Sequence, residues 1–237
     1  MVQEAESIEC GRMSINKAYS SIDQLPQRLP LFPLAGALLL PRGELPLNIF
    51  EPRYVAMVDA AVAATRLIGM VQPLPGSPST APELFEIGCV GRITQFGESG
   101  DGRYLIMLTG VCRFRIASGF DHETPYRVAD VDFGEFAHDL EVGAGESAVD
   151  RRGMIDMLRK FADSSKIEVD WSSVDAAPTE TLVNALAMMS PFGVREKQLL
   201  LESIDLKTRA ETLIDLARFD MSQSEAGSVD SDRTQAH

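Results

Sequence analysis

One stretch, Leu29 to Val58 (LPLFPLAGALLLPRGELPLNIFEPRYVAMV), constrains the fold of this chain more than any other. Leu29 to Leu34 is an apolar run interrupted by Pro30 and Pro33, and each proline removes a ladder donor, so the run suits an edge or crossing strand. Ala37 to Leu40 is a second apolar run, stopped by Pro41. Arg42, Gly43 and Glu44 supply turn chemistry before a third run, Leu45 to Phe50. Three short β segments are therefore expected in succession. Beyond Phe50 the period changes: Pro52 fits a first helical turn, and Tyr54, Val55, Val58, Ala61 and Val62 recur at helical spacing to about Thr65.

Downstream, Leu67 to Val71 reads as a strand and Pro73 to Pro82 (PLPGSPSTAP) as a loop and candidate mobile flap. Ile87 to Gln95 and Tyr104 to Thr109 alternate around the turn GESGDG, and Val111 to Ile116 and Tyr126 to Val131 add two more strands. Seven or eight short strands with one helix predict a small, partly closed barrel. Helical spacing takes over near Ala148. Met154, Leu158 and Phe161 share a face, Trp171 follows a polar connector, and Thr181 to Met189 ends at Ser190 and Pro191. Val194 to Glu202 forms the next helix, and Asp205 caps a last one carrying Leu206, Ala210, Leu213 and Ala217 along one side. The fold class expected is α+β: a flexible arm (1–28), a β-rich lobe (29–135), a C-terminal helical bundle (136–221) and a disordered tail (222–237).

Charge narrows the choice of partner. The net charge is -13, and it is uneven. Residues 29–119 balance seven acids with seven arginines and contain no lysine, whereas residues 120–150 carry nine acids against Arg127 alone. Nucleic-acid affinity needs cations to neutralise phosphates, so RNA and DNA are not expected as partners. The longest apolar run falls far short of the roughly 18 residues that span a bilayer, and the acidic N-terminus lacks a basic leader, so no membrane partner is expected. Three cysteines, Cys10, Cys89 and Cys112, have no CxxC spacing and fit reduced thiols in a cytoplasm.

The segments LPLFPL, LPLNIFEPRY, GVCRFRI and YRVADV resemble, in order and spacing, the N-terminal substrate-recognition (LON) domain of ATP-dependent Lon proteases. The same pattern occurs in small stand-alone bacterial proteins made of that domain. KQLLLE and the helix ending LIDLARF are similar to its helical subdomain, so the resemblance runs from Leu29 to about Phe219. It implies a PUA-like pseudo-barrel, a non-catalytic role in recognising exposed or unfolded polypeptide segments, and a protease or chaperone partner or self-association. No GxxxxGK[ST] loop is present to cradle ATP, so the family's ATP-driven unfolding is not expected here.

Other chemistry finds little support. Ser14 to Lys17 spells SxxK, but in a polar arm and without a KTG or SDN partner, so it does not read as a catalytic dyad. His122, His138 and His237 lack metal-ligand spacing, and no metal or other cofactor is expected. Cys112 lies in an alternating strand where a buried thiol is the common outcome, which argues against a nucleophile paired with His122. The peptide-contact candidates are Phe50 as an apolar anchor, Arg53 and Tyr54 as donor and aromatic surface, and Arg113 on a strand face shared with Arg115. A structural reading competes with that one. In it Glu51 and Pro52 open the helix, Tyr54 packs, Arg53 pairs with a carboxylate across the lobe, and Arg113 and Arg115 sit in surface salt bridges. The alternatives in function are a scaffold that binds one folded partner through residues 120–150, and a stand-alone hydrolase.

Overall fold

The computed structural model describes residues 18–78, 82–121, 124–165 and 168–234. Cys10, Ser14, Lys17, His122 and His237 lie outside the described residues.

Strand β1 (Arg28–Pro33) crosses between two partners, as its prolines require. Its first half pairs antiparallel with β6 (Arg127–Asp132), from Arg28 opposite Asp130 to Leu31 opposite Arg127. Its second half pairs parallel with β3 (Leu67–Val71), Leu31 lying opposite Gly69 and Pro33 opposite Val71. β2 (Glu44–Ile49) and β4 (Ile87–Glu98) both pair antiparallel with β5 (Tyr104–Asp121), and β4 also pairs with β3. β5 is one strand of 18 residues where two shorter ones were expected. Its far end pairs with β6, so the ladder β5-β4-β3-β1-β6 returns to β5 and the sheet closes, with β2 left as a flank.

The second expected strand does not form. Leu38, Leu39 and Leu40 are buried but irregular. Pro41 and a left-handed Arg42 (φ 63°) turn the chain, and the backbone then docks on β5: Arg42 N–H donates to Gly110 O and Gly110 N–H to Gly43 O, each at 2.8 Å. Gly110 permits this approach, because a Cβ there would run into the Leu40 carbonyl.

Helix α1 (Pro52–Ala63) starts where predicted, with proline in its first turn. Tyr54, Met57, Val58 and Ala61 form its buried face. After β6 come 3₁₀ turns at Gly134–Leu140 and Glu146–Ala148, then α2 (Arg151–Ser165), α3 (Trp171–Ala176), α4 (Thr179–Met189), α5 (Val194–Glu202) and α6 (Leu206–Thr234). α3 follows the expected polar connector, its N-terminus capped by the Asp170 carboxylate, which accepts from Ser172 and Ser173 N–H at 3.1 and 3.3 Å. α6 extends to Thr234, past the expected end of the helical bundle at residue 221; no proline follows Leu206 to stop the helix.

The large core fills the closed sheet and takes in Ala187, Leu200, Leu201 and Leu213 from the helices. A smaller cluster of Met154, Ile155, Leu182, Val183, Leu206 and Ala210 holds α2, α4 and α6 together. Between sheet and helices lies a polar joint. Arg113 reaches Asp139 and the carbonyls of Leu201 and Ser203 (3.0 and 2.5 Å). Arg42 pairs with Glu180, and Arg209 donates to Leu200 O and Asn184 Oδ1, both at 2.9 Å. No helix among the described residues is long and apolar enough to cross a membrane.

Candidate functional site

The end of β2 and the start of α1 border an open cleft of about 770 Å³. Phe50 leaves β2 with 62% of its surface exposed, because the next two residues, Glu51 and Pro52, turn the chain into the helix before it can pack. Tyr54, in the first turn of α1, points inward; it is buried and its ring lies 4.4 Å from that of Phe32 on β1. Burial pushes the Tyr54 hydroxyl above its ordinary value, with Arg53 acting in the opposite sense. The Arg53 guanidinium sits 4.6 Å from the Tyr54 ring centroid and pairs with Glu51 at 2.8 Å. Its carboxylate partner is therefore two residues away and not across the lobe.

The remaining walls come from segments the sequence reading did not assign to a site. Pro33 to Ala35, Pro73 to Ser77, Pro82, Pro125 to Arg127 and Val194 all face the cleft. The Pro73 loop, expected as a flap, is pinned at its ends: Leu74 N–H donates to Glu83 O at 2.8 Å and Phe85 N–H to Gln72 O at 3.0 Å. Arg127 Nη1 donates to Pro82 O at 2.6 Å and ties β6 to the same loop. The signal available in the sequence was the density of prolines. Pro33, Pro46, Pro73, Pro75, Pro82 and Pro125 line the cleft and carry no backbone N–H. The cleft is thus poor in backbone donors, and β2, the flanking strand beside it, carries Pro46 within its span. Capture by adding a strand is disfavoured, and burial of side chains is favoured.

Arg113 does not belong to this surface. It is 1% exposed, its Nε and Nη2 donating to Asp139 Oδ2 and Oδ1 at 2.9 and 2.8 Å, with Phe136 stacked on the guanidinium. Burial alone would raise the Asp139 carboxyl, but hydrogen bonds and charge from Arg113 outweigh it and hold the carboxyl below its ordinary value. Arg115, two residues on, does form surface salt bridges, to Glu86 at 2.9 Å and Glu135 at 2.8 Å. The alternation was legible, but the covering of one arginine by the turn at Gly134–Leu140 was not.

Neither described cysteine is suited to attack. Cys112 is buried, and burial with the nearby Asp139 pushes its thiol up to about 12; burial likewise raises Cys89 well above its ordinary value. Among the described residues no group of three His, Cys, Asp or Glu could hold a metal ion. What the arrangement offers is a preformed apolar cleft with one exposed aromatic and one oriented ion pair.

Residues 28–218 match the family model described as the ATP-dependent protease La (LON) substrate-binding domain, and the chain belongs to that family. Over 205 residues it is 29% identical to Lon protease 2 of Myxococcus xanthus, covering 82% of this chain and 24% of that one. It is 26% identical over 208 residues to the Lon protease of Anaeromyxobacter dehalogenans, covering 82% and 23%. The chain therefore spans about a quarter of the length of these relatives, and what it matches is their non-catalytic substrate-binding domain. Its fold is similar to the N-terminal domain of Mycobacterium avium complex Lon protease (TM-score 0.59, 19% identity, 81% of this chain and 98% of that one). It is also similar to a Lon N-terminal domain protein from Xanthomonas campestris (TM-score 0.53, 24% identity, 80% and 98%).

Proposed function

We propose that this chain is a cytoplasmic, non-enzymatic recognition module that binds exposed or unfolded polypeptide segments in the cleft between β1, β2 and α1, and serves as an adaptor or regulator in ATP-dependent proteolysis. The observation that carries the reading is Phe50, an aromatic side chain held 62% exposed at the mouth of an apolar cleft whose walls are fixed by prolines and by the Arg127 tie. In this reading the partly closed pseudo-barrel holds the cleft open, and the helical bundle backs it through Val194. Phe50 anchors an apolar residue of the ligand, Tyr54 forms the floor, and Arg53 and Glu51 meet polar groups along its chain.

Two or three anchored side chains at roughly 2 kcal/mol each, set against the ordering of an unfolded segment, leave binding in the millimolar to micromolar range. A single copy binds weakly, so useful retention comes from self-association or from docking on a protease or chaperone. Calorimetric titration with an unfolded protein, together with light scattering for mass, tests the reading. Saturable heat that is lost in Phe50→Ala supports it; a monomer with no heat at millimolar peptide overturns it. A scaffold for one folded partner would instead return one stoichiometric protein on affinity purification, where a substrate receptor returns a broad set.

A further inference from the structure

A second concavity lies on the helical side, away from the residues of the cleft. α2, α3, α4 and α6 enclose a groove of about 520 Å³ with Met154, Leu182, Leu186 and Leu213 among its floor and wall residues. Met157, Phe161, Trp171, Met189 and Phe192 also line it, and Met189 is 82% exposed. Two of its lining hydroxyls are already committed. Ser190 Oγ donates to Leu186 O at 2.7 Å, and Ser173 Oγ to Asp170 Oδ2 at 2.6 Å. Most of the wall is helix, whose interior backbone groups are spent on their own ladders, and the rest is connector, chiefly at 168–170 and 190–192. An extended peptide laid there would bury donors and acceptors without partners, whereas a helix arrives with its backbone already bonded. Met189, 82% exposed, stands at the rim and can repack around a guest side chain, over Met154 and Met157, which are buried beneath it.

The charged side chains that line the groove are of one sign, with the Arg159 guanidinium beside them over Trp171. Among the described lining residues the charged ones are Glu168 and Asp170, both acids. Hydrogen bonds from Ser172 and Ser173 hold the Asp170 carboxyl down to about 2, so it is ionised at neutral pH. Arg159, 5.2 Å from the Trp171 ring centroid, is paired with Asp156 at 3.7 Å.

We propose that this groove docks an amphipathic helix of a partner protein, its apolar face on Met189 and Trp171 and its lysines or arginines against Glu168 and Asp170. This site is independent of the cleft at Phe50 and would stand if that reading failed.

Trp171 is the chain's one tryptophan, so its emission reports occupancy directly. The full chain is titrated with three synthetic peptides: an amphipathic helix with a leucine face and lysines opposite, the same helix with glutamates, and a scramble of the lysine peptide that has no apolar face. The expected result is a saturable Trp171 emission shift with the first, at least about tenfold weaker binding for the other two, and weakening by salt. Met189→Glu should abolish the shift while adding negative charge, which separates docking from general attraction to an acidic protein. Asp170→Asn, which keeps the helix cap, should weaken it severalfold; unchanged far-UV circular dichroism shows that both variants fold. Equal response to lysine and glutamate helices, response to the scramble, no shift with any peptide, or a concentration-dependent shift with doubled mass in the absence of peptide, which would mean that a second copy covers the groove, overturns the proposal.

Discussion

Arg113 and Asp139 face one another through two parallel hydrogen bonds of 2.9 and 2.8 Å, with the arginine 1% and the aspartate 6% exposed. A bidentate pair this well shielded joins β5 to the turn that leads into the helices, and the carbonyls of Leu201 and Ser203 and the His138 ring (Nε2 at 3.2 Å) also meet the guanidinium. Removing one partner strands a buried charge. Asp139→Ala should therefore cost about 3–5 kcal/mol in urea denaturation, and replacing both residues by apolar ones of similar volume should recover most of that loss. A single mutant within 1 kcal/mol of the parent would show that the joint carries no such weight.

The same pair sets an acid limit. Asp139 titrates below its ordinary value in the folded state, so its contribution is complete above the unfolded carboxylate pKa of about 3.9 and is lost as pH falls from there through the folded value. The stability gap between the parent and Asp139→Asn should be constant from neutral pH to about 5 and shrink below about 4. A gap that held constant further into acid would contradict the shift.

In the cleft, adjacent aromatics should separate binding from folding. Phe50 is largely exposed, so Phe50→Ala should alter stability by no more than about 0.5 kcal/mol while weakening peptide binding. Tyr54 is buried against Phe32, so Tyr54→Ala should cost about 3–5 kcal/mol. Thermal melts and peptide titration on the two variants check the contrast; similar destabilisation by both would place Phe50 in the core.

Gly110 offers a test of the docked apolar run. A Cβ at that position meets the Leu40 carbonyl, which accepts from Gly43 N–H at 2.9 Å in a turn that Arg42 and Gly43 bond to Gly110. Gly110→Ala should cost about 1–3 kcal/mol or more, and Gly119→Ala, with nothing near its Cβ, should cost far less. Equal losses in chemical denaturation would remove the steric account.

What the sequence made legible were elements with local punctuation. α1 begins at its proline, β3 spans Leu67–Val71 and α5 spans Val194–Glu202, each a periodic or apolar run bounded by turn or capping residues. The three residues Phe50, Arg53 and Tyr54 meet at one cleft because they straddle a single strand-to-helix step. What escaped depended on partners far along the chain. Ala37–Leu40 has the composition of a strand, but it leads into a turn whose Arg42 and Gly43 bond to Gly110 instead of continuing a ladder. Arg113 has the alternation of a surface residue, but Asp139 and the end of α5 close over it. The six-residue α3 fell below the length at which periodicity shows, although Asp170, ahead of Ser172 and Ser173, was a capping signal.

The crossing of β1 bears on the order of assembly. Its first residues wait for β6, the last strand to be made, with Arg28 finding its neighbour only when Asp130 is available. A nascent chain that ended before β6 would hold an open sheet with half of β1 unpaired. Closure is a long-range event, so this lobe should fold slowly for its size, with the joining of β1 to β6 as its late step.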